Sequence, residues 1–352
     1  MKNIFSKRLK SARLIKGYSM QELAEMLNVS KQMISKYEKG LSVPDSSGLI
    51  RMSKALGQNA DYFFKPSAVE LKEVKFRKKS CFSAKKLKAL EEEVLQSVEN
   101  YLDVESILAI KSEFRNPLSG LNADTYEDIK KAAETLRKAW DLGHDPIHNV
   151  IELMENNLIK VIEISASDNK FDGLSSFIDN KYPVIVINDG MNTERKRFTL
   201  LHELGHLLLE FKDDITEKDQ EHFCNAFAGN MLLPSKVLSE DFGVKRERIS
   251  LQEMKAVQEN FGISIQAIIY RLVDEKIISK SSQEDFYKKY NSISGIKEEV
   301  DMQRYCVPER SERFYRLVYR ALTQELISIG KAASLLGKQL SEVRKNFSVV
   351  ID

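Results

Sequence analysis

The residues of this sequence best suited to chemistry lie close together in the pattern His202-Glu203-Leu204-Gly205-His206, which has apolar residues on both sides. Residues four apart share a face of a helix, so the two imidazoles can bind one zinc ion. Glu203 stands beside a ligand and is placed to act as the general base that takes a proton from water. The pattern predicts a zinc site of the metallopeptidase kind. The alternative is a helix that merely carries two histidines.

A catalytic zinc site of this kind needs a third protein ligand. A metzincin would have another histidine six residues after His206, following a glycine, but Phe211-Lys212 stand there instead, which excludes that class. The next helical pattern, residues 218–233, offers three side chains that could bind a metal: Asp219, Glu221 and His222. The residues alone leave these three alternatives open.

Short strand patterns lie directly before this predicted metal-binding helix. Residues 159–164 alternate as a strand does, and residues 175–178 and 184–187 are two further short candidates. Strands followed by the helix predict an α+β domain. An exposed edge strand beside such a helix can bind an extended peptide by strand addition, and we expect residues 184–187 to have that role. A buried central strand would have the same pattern.

Length, termini and cysteines limit the class of protein. At 352 residues the chain is long enough for two or three domains, each with its own core. The start lacks the apolar stretch of a signal peptide, and no apolar run reaches the length of a membrane span. Cys81, Cys224 and Cys306 are far apart and odd in number, which argues against a disulfide framework. These features predict a cytoplasmic protein without a membrane partner.

The small net charge of +2 conceals an uneven distribution. Residues 1–90 contain 20 Lys and Arg against 7 Asp and Glu, whereas the remaining residues contain 34 against 45. A basic amino-terminal quarter on an acidic body indicates a polyanionic partner for that quarter alone. Within it, the cations of residues 66–90 either follow a nucleic-acid backbone or form a solvated face.

The amino-terminal residues carry the signals of short helices joined by a tight turn. An amphipathic pattern covers residues 2–16, and Ser19 with Glu22 forms a capping box for a helix over residues 21–27. Asn28 suits the left-handed conformation of a turn, and Ser30 can cap a further helix over residues 31–39. A fourth helix is predicted over residues 46–56. This arrangement indicates a helix-turn-helix.

Residues 5–64 resemble the XRE (Cro/repressor-type) family of five-helix DNA-binding domains. The resemblance rests on Leu23-Ala24, Val29-Ser30, Ile34-Ser35, Tyr37-Glu38 and Gly40, with Asp61-Tyr62-Phe63-Phe64 matching the fifth helix. Met20 departs from the glutamine that the family often has there. The resemblance implies that double-stranded operator DNA is read by the third helix, through Lys31, Gln32, Ser35 and Lys36. Lys7, Arg8 and Arg13 would meet phosphates or solvate a face. A helical bundle used for protein contacts is the alternative.

The stretch from Glu221 through Cys224-Asn225 to Phe227-Ala228 resembles the second signature of the ImmA/IrrE family of metallo-endopeptidases. The segments 195–201 and 261–272 resemble that family too, so that the likeness covers residues 150–280. It implies Zn²⁺ as cofactor, with His202, His206 and Glu221 as ligands and Glu203 as catalytic base. It also implies cleavage of a partner regulatory protein. Cys224 falls where the family has Ala or Cys, and we interpret it as core packing.

The whole chain is therefore predicted to be mainly α, with an α+β zincin-like domain. We expect a helix-turn-helix domain at residues 1–66, a helical connector at 67–149, the metallopeptidase domain at 150–280 and a helical module at 281–352. Residues 332–337 echo half of a helix-turn-helix, but without a basic surface the last module is interpreted as packing or oligomerisation, with a possible homodimer. A second hypothesis is a non-catalytic transcription factor or antitoxin-like regulator whose zinc domain senses a ligand or partner.

Overall fold

A computed structural model of the protein describes residues 2–64, 83–110, 113–165, 171–293 and 295–347. Cys81 and most of the basic run at residues 66–90 lie outside these ranges. The described residues form two compact units, one drawn from residues 2–64, 83–110 and 312–347 and the other from residues 113–165, 171–293 and 295–311. None of the described helices is both long and apolar enough to cross a membrane. The four predicted domain boundaries stay predictions.

The described ranges are mainly helical, with one three-stranded sheet, which confirms the predicted fold class. In chain order the helices are α1 (Lys2–Ile15), α2 (Met20–Leu27), α3 (Lys31–Glu38), α4 (Ser46–Leu56), a 3₁₀ helix (Ala60–Phe64), α5 (Ala84–Ile107), α6 (Tyr126–Ala139), α7 (Val150–Asn156), α8 (Thr193–Leu208), α9 (Glu217–Leu232), α10 (Ser235–Phe242), α11 (Leu251–Phe261), α12 (Ile265–Asp274), α13 (Lys280–Ser292), α14 (Ile296–Asp301), α15 (Arg313–Thr323), α16 (Ile329–Leu336) and α17 (Leu340–Asn346). The strands are β1 (Lys160–Ile164), β2 (Gly173–Ile178) and β3 (Tyr182–Asn188).

The first unit begins with the predicted five-helix arrangement, whose turns follow from local hydrogen bonds. Ser19 and Glu22 form the expected capping box at the start of α2, and Ser30 accepts a hydrogen bond from the backbone at the start of α3. Asn28 adopts the left-handed conformation with φ of 55°, as predicted for the turn between α2 and α3. The apolar faces of these helices close over a shared core that includes Phe5, the residue that contacts the aromatic rings of the 3₁₀ helix.

The rest of the first unit packs on α5, a helix of 24 residues. Its core joins Tyr101 and Val104 of α5 to apolar residues of α15, α16 and α17. The helical stretch over residues 329–346 is divided into α16 and α17. Gly337, in the left-handed conformation with φ of 63°, ends α16, and α17 begins at Leu340 after its N-cap residue Gln339. A glycine adopts this conformation without steric cost, so it ends the helix where apolar periodicity alone would continue it.

The sheet of the second unit has the order β1-β3-β2, so β3 is central. It pairs in parallel with β1 and antiparallel with β2. The expectation that residues 184–187 form an exposed edge strand is therefore wrong, because a strand paired on both sides offers no free edge to a peptide. All four of these residues are buried, which explains their continuous apolar pattern. The edge strands are β1 and β2, and β2 is the one that α8 packs against.

Helix α8 packs on β2 and β3, and α9 packs along α8. The two helices approach closely at Gly205, where a Cβ atom would lie 3.2 Å from Cys224 Sγ and 3.3 Å from its Cα. A glycine is needed because any side chain would separate the two helix backbones. The predicted helix over residues 218–233 corresponds to α9. Its position against α8 decides which of its side chains reach the two histidines.

Candidate metal centre

Helix α8 positions the two histidines of the pattern on one face. Asn192 caps its first turn, and its apolar residues, including Leu201 and Leu204, are buried in the core of the second unit. The His202 and His206 Nε2 atoms lie 3.2 Å apart, and the two side chains are only 12% and 8% exposed. Two imidazole nitrogens this close need either a shared proton or a cation between them.

Glu221 of α9 completes a three-donor cluster. Its carboxylate oxygens lie 3.2 Å from His202 Nε2 and 3.3 Å from His206 Nε2. Four ligands about 2.0–2.1 Å from a tetrahedral zinc would be separated by about 3.3 Å, since the edge of a tetrahedron is about 1.6 times the centre-to-vertex distance. The two histidine–glutamate distances are close to this length, and each goes to a different oxygen of Glu221. One ligand atom from each of the three residues lies within 4.8 Å of the others, so the cluster can hold one metal ion.

Adjacent residues of α9 hold the other nitrogen of each imidazole. The Asn225 Oδ1 atom lies 2.9 Å from His202 Nδ1, and Cys224 Sγ lies 3.4 Å from His206 Nδ1. An amide oxygen can only accept, so the neutral His202 ring carries its proton on Nδ1 and directs the lone pair of Nε2 toward the cluster. This is the tautomer that a metal ligand must have.

Sequence reasoning did not give Cys224 or Asn225 a part in holding the histidines. The available signal was their spacing, since they follow Glu221 by three and four residues and so share its face of the helix. Cys224 is fully buried, as expected for core packing.

Glu203 lies on α8 beside the cluster and is 2% exposed. The Ser175 hydroxyl on β2 donates to Glu203 Oε2 at 2.8 Å. Gly173 on the same strand leaves room for this approach, because a Cβ there would lie 3.3 Å from Glu203 Cγ. Ser175 is a site residue that sequence reasoning missed, and no local signal identifies it, since only the sheet register brings it to α8.

The two other acidic or nitrogen candidates on α9 lie outside the cluster. Asp219 accepts from the Thr216 hydroxyl and forms part of the cap of α9. His222 faces a groove of about 740 Å³ that is also lined by residues of α8, α12 and α14. Among the described residues, the one group able to hold a metal ion through three side chains is His202, His206 and Glu221.

The groove adjoins the three-donor cluster through Asn225, which contacts His202 and also lines the groove. Phe198 and Ala226 give it apolar walls, while Tyr270 at its rim is 56% exposed. Burial raises the pKa of the Asp274 carboxyl above its usual value, against the opposing effect of nearby Arg271. The groove therefore offers both apolar and acidic contacts next to the candidate metal site.

A buried ion pair anchors the first turns of α8. The Arg197 Nη1 atom donates to Glu309 Oε2 at 2.8 Å, and both side chains are almost fully buried, at 0% and 1% exposure. Arg197 Nη2 also donates to the Ile147 carbonyl at 2.6 Å, and its guanidinium stacks over the Tyr305 ring. Glu309 accepts in addition from the Ile151 amide at the start of α7. The metal-binding helix is therefore fixed to segments far from it in sequence.

Helix α3 presents the side chains predicted to read DNA. Lys31, Gln32 and Lys36 are exposed and Ser35 is half-buried. The prediction that Arg13 meets phosphates or solvates a face is wrong, because Arg13 is 7% exposed and donates to both carboxylate oxygens of Glu38. This buried pair ties α1 to the end of α3.

Arg8 is also engaged within the first unit, since it donates to Glu99 of α5 at 2.7 Å. A cation paired with an internal carboxylate does not simply solvate a face, and it is less available to a phosphate than the unpaired side chain would be.

Comparison with known proteins agrees with both halves of this description. Residues 9–63 match the helix-turn-helix family model, and residues 155–273 match the model of the IrrE N-terminal-like domain. The chain is 40% identical over 62 residues to the SPbeta prophage-derived HTH-type transcriptional regulator YonR of Bacillus subtilis, covering 18% of this chain and 57% of that protein. It is 36% identical over 66 residues to the HTH-type transcriptional regulator ImmR of the same organism, covering 19% and 52%.

A further relative is named as a metalloprotease. The chain is 36% identical over 74 residues to the radiation response metalloprotease IrrE of Deinococcus radiodurans, covering 18% of this chain and 23% of that protein. The chain spans about half the length of the curated regulators that it matches.

Fold and site together describe a chain that joins a helical domain similar to helix-turn-helix domains to an α+β domain similar to the IrrE N-terminal-like domain. More particularly, the chain carries an XRE-type helix-turn-helix domain and an IrrE N-terminal-like domain, as the two resemblances in the sequence predicted.

Proposed function

We propose that this protein is a DNA-binding transcriptional regulator whose second unit is a zinc-dependent endopeptidase acting on a partner regulatory protein. The observation that carries the proposal is the cluster of His202, His206 and Glu221, in which the two Nε2 atoms lie 3.2 Å apart and each lies 3.2–3.3 Å from one of the two Glu221 carboxylate oxygens. Neutral imidazole and carboxylate donors at this spacing suit zinc.

A zinc ion held there would supply Lewis-acid activation of water and of the scissile carbonyl. The protein's own part is to orient ligands and move a proton. Asn225 and Cys224 orient the two imidazoles, and Glu203 accepts a proton at its carboxylate and delivers it to the leaving amine. The Ser175 hydrogen bond to Glu203 Oε2 holds that carboxylate in place. Its burial reduces competition from bulk water.

The proposed substrate is an extended segment of another protein. Strand β2 is the edge strand beside α8, so a peptide can pair with it in the manner of an added strand. The groove between α8, α9 and α12 would then receive a substrate side chain, with Phe198 as an apolar wall. We expect a residue with an apolar or basic side chain there, because Asp274 and Asp301 line the groove, whereas the two arginines that also line it, Arg195 and Arg271, are paired with Asp172 and Glu275.

The proposed DNA contacts lie on α3. Lys31 and Lys36 suit guanine acceptors or phosphates, and Gln32 suits adenine, with Ser35 between them. Binding of a homodimer to a two-fold operator is the arrangement we expect.

The metal is tested by measuring zinc content in the purified full-length chain. We expect about one zinc per chain, lost in His206→Ala and in Glu221→Ala. The matched control is His222→Ala, which removes the neighbouring imidazole that faces the groove and should leave zinc content unchanged. Metal retained by His206→Ala, or lost only in His222→Ala, would contradict this ligand set.

Cleavage is tested by comparing wild type with Glu203→Gln in cells and following the loss of intact proteins. The variant should keep zinc and DNA binding while any cleavage stops, because an amide cannot accept the proton. Cleavage that continues in Glu203→Gln excludes Glu203 as the base. A wild type that cleaves nothing while its zinc is bound would favour the non-catalytic regulator.

A further inference from the structure

The carboxy-terminal helices α16 and α17 repeat the geometry of α2 and α3. Helices α2 and α16 each have eight residues, and α3 and α17 have eight and seven. Ser328 caps α16 as Ser19 caps α2, each accepting from the backbone amide three residues further on. The residue after each first helix, Asn28 or Gly337, is left-handed, with φ of 55° or 63°. Each second helix then begins three residues later.

The turns share their backbone hydrogen bonds. The Val29 amide donates to the Ala24 carbonyl at 3.0 Å, and the Lys338 amide donates to the Ala333 carbonyl at 3.0 Å. This bond from the residue after the left-handed position closes the end of the helix in both copies. The chain therefore makes the same turn twice.

The residues between the helices of each pair also correspond. Ala24 and Ala333, at the same position of the first helix, are 1% and 3% exposed. Ile34 and Val343, at the same position of the second helix, are both fully buried. Helices α2 and α3 pack on each other, and so do α16 and α17, so the second pair has the packing as well as the turn of a helix-turn-helix.

The outward face of α17 carries polar and basic side chains. The positions that correspond to Lys31, Gln32, Ser35 and Lys36 of α3 are occupied by Leu340, Ser341, Arg344 and Lys345, all of them exposed. Residues 312–347 contain seven Lys and Arg against three Asp and Glu. The region is therefore net positive, and the exposed Arg344 and Lys345 provide the cations that a nucleic-acid contact needs.

Within the first unit, helix α5 contacts α1 and α15, the helices that precede the two pairs. Its Glu99 accepts from Arg8 of α1 at 2.7 Å, and its Glu105 accepts from Arg313 of α15 at 2.8 Å. The two carboxylates are six residues apart, about 9 Å along a helix. Because α5 contacts the helix that precedes each pair, it links the two pairs within one compact unit, and two linked pairs can contact two places on one duplex.

We propose that α16 and α17 form a second helix-turn-helix that contacts double-stranded DNA through Ser341, Arg344 and Lys345. It rests on the proposed DNA-binding function of α3 and extends it to a second contact made by the same chain. Arg344 and Lys345 supply charge for phosphates or guanine, and Leu340, 44% exposed, can contact a thymine methyl group.

The test uses the full-length chain and a pool of random-sequence duplex DNA, from which wild type enriches its own binding sequence. That duplex then serves for salt titrations and hydroxyl-radical footprints. We expect the double variant Arg344→Ala with Lys345→Ala to bind about tenfold or more weakly. Its slope of log K against log salt should fall by about 1 to 2, because each lost phosphate contact removes about 0.9 of slope. The footprint should shorten at one end.

The matched control is Lys288→Ala with Lys289→Ala on α13, which removes two exposed cations from the other unit. Equal affinity, slope and footprint for the control and the α17 variant would overturn the proposal, as would a variant that only changes the oligomeric state. Thermal unfolding of each variant verifies that it is folded.

The variant Lys31→Ala with Lys36→Ala separates the two DNA proposals. If it abolishes binding while the α17 variant has no effect, only the second contact fails. If it binds as wild type does, the proposed role of α3 fails instead. A wild type that enriches no DNA sequence overturns both.

Discussion

The first helix-turn-helix and the metal centre are built in opposite ways. The turn between α2 and α3 is held by residues that are neighbours in sequence, with Asn28 in the left-handed conformation and Ser30 capping α3. The metal centre instead joins α8 to α9 at Gly205, and α8 is fixed by Glu309, more than a hundred residues away along the chain. A substitution should therefore have a small local effect in the first region and a large, transmitted effect in the second.

The largest effect is expected for Arg197→Met, which leaves the Glu309 carboxylate buried without its cation. Breaking a buried ion pair by removing one partner costs about 3–5 kcal/mol. We expect the free energy of unfolding of the second unit, which carries the metal centre, to fall by that amount in chemical denaturation. The variant should also lose zinc at a lower denaturant concentration than the wild type does.

The control for this prediction lies two residues away on α8. Arg195→Met breaks the pair with Asp172, whose side chains are 58% and 43% exposed. An exposed pair of this kind contributes about 0–1 kcal/mol. Equal costs for the two substitutions would show that burial of the Arg197 pair does not determine the stability of this unit.

The next effect is expected for Gly205→Ala at the crossing of α8 and α9. The new Cβ would lie 3.2–3.3 Å from Cys224, so the helices must move apart by a few tenths of an ångström. Overpacking of this kind costs about 1–3 kcal/mol. Because the crossing also sets the distance from His206 to Glu221, zinc affinity should fall in competition with a chelating dye, and by more than the change in stability alone implies.

The same substitution in an open position provides the comparison. Gly330 lies in α16, where a Cβ would meet only Ser328 Oγ, at 3.7 Å. Gly330→Ala should stabilise the protein slightly, by up to about 1 kcal/mol, because alanine favours the helix. If Gly205→Ala also stabilises the protein, the close contact between α8 and α9 does not require a glycine at that position.

The difference between the regions also explains what the sequence could predict. Helix α4 and the cap at Ser30 follow from signals within a few residues, so their positions were predictable with bounds close to those observed. The pattern of residues 184–187 predicted a strand, but it did not predict that this strand is central in the sheet. A continuous apolar run occurs both in central strands and in edge strands whose faces are covered.

In the metal centre, the spacing of His202 and His206 was readable because a helix fixes it. The family resemblance then selected Glu221 among three candidates, which geometry alone could not do before α9 was placed on α8. Ser175 and Glu309 had no signal at all: their contacts depend on the sheet register and on a buried charge from a distant segment. Local geometry can be predicted from sequence, whereas these long-range contacts cannot.

A smaller effect is expected for Ser30→Ala, which removes the side-chain cap of α3. The lost hydrogen bond, from the Met33 amide at 3.2 Å, typically costs about 1 kcal/mol. Thermal denaturation of the full-length chain should show this loss, with zinc content unchanged because the effect stays local. The control Ser281→Ala, at an exposed position within α13, should change stability by less than about 0.5 kcal/mol. A zinc site weakened by Ser30→Ala would contradict the local character of this region.

The smallest effect is expected when the two left-handed residues are exchanged, Asn28→Gly and Gly337→Asn. Each position has φ near 60°, which asparagine tolerates and glycine adopts freely. Both substitutions should therefore change the free energy of unfolding by less than about 1 kcal/mol, whereas Asn28→Val should cost about 1–2 kcal/mol because a branched Cβ is strained there. Chemical denaturation of the three variants measures the differences. If the backbone conformation alone determines the cost, both positions will tolerate the exchange equally, and the turns of the two helix pairs are interchangeable. A large cost at either position would show instead that the native side chain or its neighbours stabilise that turn.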